Sequence, residues 1–187
     1  MNKDIPVPAR MQRLPVDPRG YPVPWIVQMG NGGTPHFIIN DSLKRARCVE
    51  EDRCGICGNP LMRGRWFAGG PASAFHPNGA YIDPPMHKEC MEYAMQVCPY
   101  IAMPNYNALK MHNSPKRLEK PADLADHVIL VDETMVPGRP AVFVAVHARA
   151  TRQTANGYLV PAKPYIDVQF WRYGKRLTET EAREFGI

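Results

Sequence analysis

Two short stretches decide how this chain must fold: Cys54-Gly55-Ile56-Cys57-Gly58 and, 29 residues further on, His87-Lys88-Glu89-Cys90. Thiolates spaced C-x-x-C converge on one metal ion when the backbone turns tightly between them, and Gly55 and Gly58 ease that turn. Pro85 lies just ahead of an apolar-periodic run, Met91, Ala94, Met95 and Cys98, that Pro99 stops, which predicts a helix over residues 87–98. His87 and Cys90 then fall three apart in its first turn, on one face, and complete a tetrahedron with Cys54 and Cys57. Three thiolates and one imidazole suit Zn²⁺, and a four-ligand set with no open position indicates a structural ion. The alternative is a pair of buried thiols with an unrelated histidine. Cys48 and Cys98 are left over, and Cys98, eight residues after Cys90 near the same helix face, reads as a core residue rather than a replacement ligand.

The order knuckle, hairpin, ligand helix resembles a treble-clef zinc finger. Its hairpin is predicted to run from Arg63–Phe67 to Ala80–Ile82, with His76-Pro77-Asn78-Gly79 as the turn. Arg53, Arg63 and Lys88 are near enough in sequence to offset the net negative charge of a three-thiolate centre. A zinc deaminase is excluded, because there the C-x-x-C follows the H-x-E and one metal position stays open. A treble-clef nuclease of HNH type is the second alternative, with His76 and Asn78 placed in the hairpin. A fully Cys/His-ligated ion argues against it, since phosphodiester cleavage needs an open metal.

Working outward, residues 5–24 hold six prolines with Arg10, Arg13 and Arg19 among them, and predict an extended proline-rich arm lying against the domain. Trp25–Met29 and His36–Ile39 read as strands joined across Gly30-Asn31-Gly32-Gly33. Asn40, Asp41 and Ser42 are the cap candidates for a short helix whose apolar side is Leu43, Ala46 and Val49. Residues 104–121 are polar, proline-marked and basic, a linker. Three strand-like runs follow: His127–Val131, continuous and apolar; Ala141–His147, with Val142, Val144 and Val146 opposite Phe143, Ala145 and His147; and Tyr165–Phe170. Thr178 and Glu181 match a capping box and open a tail helix. The prediction is an α+β protein: an arm (1–24), a zinc-binding region (25–103), a basic linker (104–121) and a strand-rich C-terminal region with a tail helix (122–187), forming one compact unit.

Composition bounds the function. There are 20 prolines in 187 residues, about twice the usual ~5 %, so a long helical bundle is excluded. Formal net charge is +5, and residues 61–120 carry seven basic against four acidic side chains. That balance permits nucleic acid as a partner without demanding it. Arg63, Arg65, Lys110, Lys116, Arg117, Arg172, Lys175 and Arg176 are the candidate phosphate contacts, and Trp171-Arg172-Tyr173-Gly174-Lys175-Arg176 interleaves aromatics with cations in the manner that suits stacked bases. No phosphate-cradling loop and no serine-nucleophile motif occurs. No apolar run approaches the ~18 residues that span a bilayer, and an odd cysteine count with a C-x-x-C favours a reducing, cytoplasmic setting.

Several segments together resemble a family of small actinobacterial and bacteriophage proteins. They are Leu14-Pro-Val-Asp-Pro-Arg-Gly-Tyr-Pro-Val-Pro-Trp25, Cys54-x-x-Cys57-Gly58, Pro84-Pro-x-His87-x-x-Cys90, Cys98-Pro99, and Phe170-Trp171-x-x-Gly174-Lys-x-x-Thr178-x-x-Glu181. Residues 104–165 match least. The resemblance implies a zinc-binding accessory protein in a bacterial or phage-infected cytoplasm, and brings no activity with it. The expected function is therefore a non-enzymatic, zinc-stabilised binding protein contacting nucleic acid. The first alternative is a phage accessory protein that binds and modulates a host protein.

Overall fold

The structure is a computed structural model of the chain, and it describes residues 4–62, 64–105 and 139–187. Its strands are β1 (Val27–Met29), β2 (Pro35–Asn40), β3 (Arg65–Gly69), β4 (Phe143–Ala148), β5 (Thr151–Gln153), β6 (Leu159–Pro161), β7 (Asp167–Arg172) and β8 (Lys175–Leu177). Its helices are α1 (Ser42–Glu50), α2 (Pro71–Phe75), α3 (Lys88–Val97), α4 (Pro99–Ala102) and α5 (Glu179–Arg183), with a single 3-10 turn at Ala9–Met11. Among the described residues all the sheets are antiparallel, and helices and sheets mix along the chain as an α+β reading requires.

The central element is a four-stranded sheet in the order β3-β4-β7-β8. It joins a strand from the first half of the chain to three from the last quarter. Alternation along β4 settles what each face covers. Phe143 and Ala145 turn toward one core with Trp66, Trp171 and the cysteines, while Val144 and Val146 turn toward a second core with Phe67, Tyr81 and Leu159. Both faces of the sheet are thus covered, the first by α3 and the knuckle.

The expected hairpin partner of β3 is corrected. Residues 65–69 pair with β4, from Arg65 opposite Ala148 to Gly69 opposite Val144. The chain returns to β3 at a single bridge, Trp66 with Met86, each donating its N–H to the other's carbonyl at 3.0 and 2.8 Å. Residues 71–75 form α2, opened by a proline at its first turn, and Tyr81 bridges Leu159 instead. The run at 80–82 is too short and too polar at Asp83 to outcompete the six-residue Val/Ala strand β4 for the same edge.

Local signals hold elsewhere. The Asp41 carboxylate accepts from Leu43 N–H and Lys44 N–H at 3.0 Å each and starts α1. Of the expected apolar side, Val49 packs against the second core beside buried Cys48, whereas Ala46 is exposed and Leu43 is 74 % exposed. Arg45 draws the helix inward by donating to the carbonyls of Ile82 at 2.9 Å and Gly157 at 2.6 Å. β1 and β2 pair as expected, with an irregularity: Val27 faces Asn40 but Gln28 faces His36, so Phe37, Ile38 and Ile39 bulge outward. The capping box at Thr178 and Glu181 is complete. The predicted run at 127–131 and residues 106–121 of the linker lie outside the described residues.

Candidate metal centre

Cys54, Cys57, His87 and Cys90 are all buried, and their ligand atoms all lie within 4.8 Å of one another. A tetrahedron with metal–sulfur bonds of ~2.3 Å has edges of roughly 3.5–3.8 Å, so closure on an ion asks for side-chain adjustments of an ångström or less. None of the five cysteines is in a disulfide. Four buried ligand groups this close can hold a metal ion.

The backbone builds the site from two sides. At the knuckle, Gly58 N–H donates to the Cys54 carbonyl at 2.8 Å and Cys54 N–H to the Asn59 carbonyl at 2.9 Å. Gly58 has φ +74°, and a Cβ there would meet the Trp25 ring at 2.7 Å, so only glycine serves. On the other side, His87 caps α3 and Cys90 lies within its first turn. Positive charge at that helix end favours thiolates. Gly55 N–H donating to the Pro85 carbonyl at 3.0 Å ties the halves together, and His87 N–H points at Cys54 Sγ at 3.5 Å.

The histidine is oriented for its task. Its Nε2 sits 3.1 Å from the Pro60 carbonyl oxygen, which can only accept, so Nε2 carries the proton. Nδ1 then offers its lone pair to the cluster, 3.4 Å from Cys57 Sγ. This is the outer partner that fixes tautomer and ring plane in metal-binding histidines. The thiols divide a proton load among themselves. S–H donation from Cys54 and Cys90, followed by the Asn59 N–H, pulls Cys57 well below the ordinary thiol range. Burial pushes Cys54 up, and the two neighbouring sulfurs push Cys90 up.

The counter-charge is placed differently from the sequence expectation. Arg53 pairs with Glu51 and donates to the Gly58 carbonyl at 3.0 Å. Lys88 faces Glu92 at 3.9 Å, and Arg63 lies outside the described residues. Among the described residues Arg10 stands nearby as well, bound to Glu89 at 2.5 Å and held in its charged form by that carboxylate and, less strongly, by Cys57 and Cys90. It stands 79 positions from its partner, and no local pattern signals it. A cleft of about 370 Å³ beside the cluster is lined by Arg10, Met62, Trp66, His87, Lys88, Glu89 and His147. Burial lowers the pKa of His147, whose ring stacks on Trp66 with centroids 5.0 Å apart.

The other candidate residues are scattered. Arg65 pairs with Asp52 and donates to the Arg149 carbonyl at 3.0 Å. It stands level with the end of β4 opposite to the one that Arg172 and Lys175 flank. The Arg172 guanidinium lies between the rings of Tyr173 and Phe185, at 4.4 and 4.2 Å. Lys175 and Arg176 are exposed on β8. Lys110, Lys116 and Arg117 lie outside the described residues. His76 lines a groove with Val168 and Phe170, on the second core's side of the sheet. The structure therefore does not bring His76 and Asn78 to the cysteine cluster. Cys98 is half-buried and not among the clustered ligands. No family model, curated protein or solved structure matches the chain.

Proposed function

We propose that this chain is a zinc-stabilised, non-enzymatic binding protein whose metal is structural. The observation that carries the reading is the closed set of Cys54, Cys57, His87 and Cys90, buried and mutually within 4.8 Å. Three thiolates and an imidazole favour Zn²⁺ over harder cations, and four protein ligands leave no site for a reacting water. The frame is treble-clef-like: knuckle, strand β3, then a helix with two ligands at its start. The usual hairpin is reduced to the Trp66–Met86 bridge. Purified protein should carry about one zinc per chain, and Cys90→Ser should lose it and destabilise the fold. Metal-free protein of unchanged stability would sink the reading.

Nucleic acid is the partner this reading favours, in the bacterial or phage-infected cytoplasm that the family resemblance implies. Support comes from the β7–β8 turn, where Arg172 and Arg139 lie 4.4 and 5.3 Å from the ring of Tyr173, itself 38 % exposed, and Lys175 and Arg176 follow exposed on β8. Binding through these groups should weaken with salt, at a log–log slope of about −0.7 to −0.9 per phosphate neutralised. A protein partner is the second reading, favoured by the outward Phe37 and Ile38, 45 % and 65 % exposed. Salt-independent binding would select it.

A further inference from the structure

The proline-rich N-terminal segment is fastened to the metal-ligand elements, and also meets β2 and α1, where Asp41 N–H donates to the Ile26 carbonyl at 2.8 Å and Arg47 lies over the Trp25 ring. Trp25 N–H donates to the Ile56 carbonyl at 2.7 Å and Ile26 N–H to the Gly55 carbonyl at 3.1 Å, both inside the C-x-x-C knuckle. The Trp25 ring covers Gly58. Arg10 grips Glu89, which stands between ligands His87 and Cys90. Met11 is 2 % exposed within the core that contains Cys54, Cys57 and Cys90, and Ile5, Val7, Leu14 and Tyr21 pack against that core. Tyr21 and Asp17 lie close enough to Tyr93, one turn beyond Glu89, to push its hydroxyl pKa up beyond the effect of burial. The segment is a strap across the knuckle and the first half of α3.

Knuckle residues Ile56 and Leu61 share a core with Met86 and Met91 of the helix side, and beyond that packing the two ligand-bearing sides are joined by few hydrogen bonds. Gly55 to Pro85, the Trp66–Met86 bridge and the His87 contacts hold them together in the described residues. Closing four ligands on one ion fixes their spacing, and the strap needs that spacing because it touches both. The second core is on the far face of the sheet and holds no cysteine.

Resting on the zinc reading above, we infer that metal occupancy gates the strap: bound metal holds residues 4–26 down, and metal loss releases them while the sheet and its second core stay folded. The released piece is rich in proline and arginine, Pro6 to Pro24 with Arg10, Arg13 and Arg19. Such segments are preformed for docking and lose little entropy on binding. Linkage requires the reverse effect too: the factor by which bound metal favours strap docking is the factor by which a docked strap favours metal binding, so a chain whose strap stays undocked loses it.

Hydrogen exchange on the full chain, with and without a zinc chelator, tests this. The strap amides of Leu14, Asp17, Val23, Trp25 and Ile26 should exchange at least about tenfold faster once metal is removed, while Val144, Val146 and Leu159 keep their protection. Simultaneous loss at both sets would show global unfolding and overturn the inference. So would an unchanged strap in chelator-stripped protein. Arg10→Ala, a change at an exposed ion pair, and Met11→Asp supply the reciprocal arm. Each should give up zinc to a competing chelator more readily, Met11→Asp by roughly tenfold. Unaltered zinc affinity with an exposed strap would overturn the coupling. A chain that carries no metal when purified fails at the earlier step, the zinc reading itself, and elemental analysis separates the two failures.

Discussion

At the scale of single residues, five cysteines occupy three chemical situations, and alkylation at pH 8 should sort them. Cys48 is 1 % exposed, and burial pushes its thiol up to about 12. Its reactive thiolate is then about one part in ten thousand at pH 8, and reagent has no path to it. Cys54, Cys57 and Cys90 are buried together in the folded site, and removing a bound ion would loosen the two elements that cover them. Cys98 is half-buried, and desolvation raises its pKa as well. Brief iodoacetamide treatment of native protein should label none of the ligand cysteines. Added chelator should open those three and spare Cys48, read by peptide mass spectrometry. Identical labelling of Cys54, Cys57 and Cys90 with and without chelator would remove the metal from the account.

Among the elements, those specified by neighbours in sequence were readable and those specified by distant partners were not. The tail helix α5 is the clearest local case. Thr178 Oγ1 accepts from Glu181 N–H at 3.2 Å, and the Glu181 carboxylate accepts from Thr178 N–H at 2.7 Å. That backbone N–H, then the Thr178 hydroxyl, holds the Glu181 carboxyl below its ordinary 4.5. A lowered folded-state pKa means the support is complete above about 4.5 and fades as pH falls through the lower folded value. Protection of the Ala182 and Phe185 amides should therefore drop in acid. Thr178→Ala should produce the same fraying at neutral pH, at a cost of about 1 kcal/mol to the cap. Unchanged exchange at both amides in Thr178→Ala would show that packing, not the cap, sets this helix. The ligand pairs were legible for the same reason, being three residues apart on either side. β3 was not: Trp66 pairs with His147, more than eighty positions away. A Val/Ala-alternating strand won an edge that the short run at 80–82 was expected to fill. Leu43 shows a second kind of failure. Its spacing said core, but with Arg45 bonded to two backbone acceptors α1 is rotated so that Val49 of that face packs inward and Leu43 does not.

On the scale of the whole molecule, the four-stranded sheet separates a core that contains the cysteine cluster from one that does not. Loop-rich, proline-rich chain supplies little regular structure to the first face, where three cysteines, Met91, Met95 and two tryptophans gather under the strap. The opposite face is closed by ordinary apolar packing around Phe67, fully buried between Tyr81 and the valines of β4. Cavity formation at either place should cost several kcal/mol, about 3–5 for Phe67→Ala and about 2–5 for Met91→Ala. Only the metal readout should distinguish them. Met91 follows ligand Cys90 directly in α3, so a cavity there lets the helix start shift and loosens the tetrahedron. Phe67→Ala leaves the ligand elements in place, and should lower Tm while retaining one zinc per chain and near-native chelator resistance. Met91→Ala should lower Tm by a comparable amount and also release zinc at lower chelator concentration. Equal zinc loss in both variants would mean that the two faces form one cooperative unit, with the sheet transmitting disorder from one core to the other.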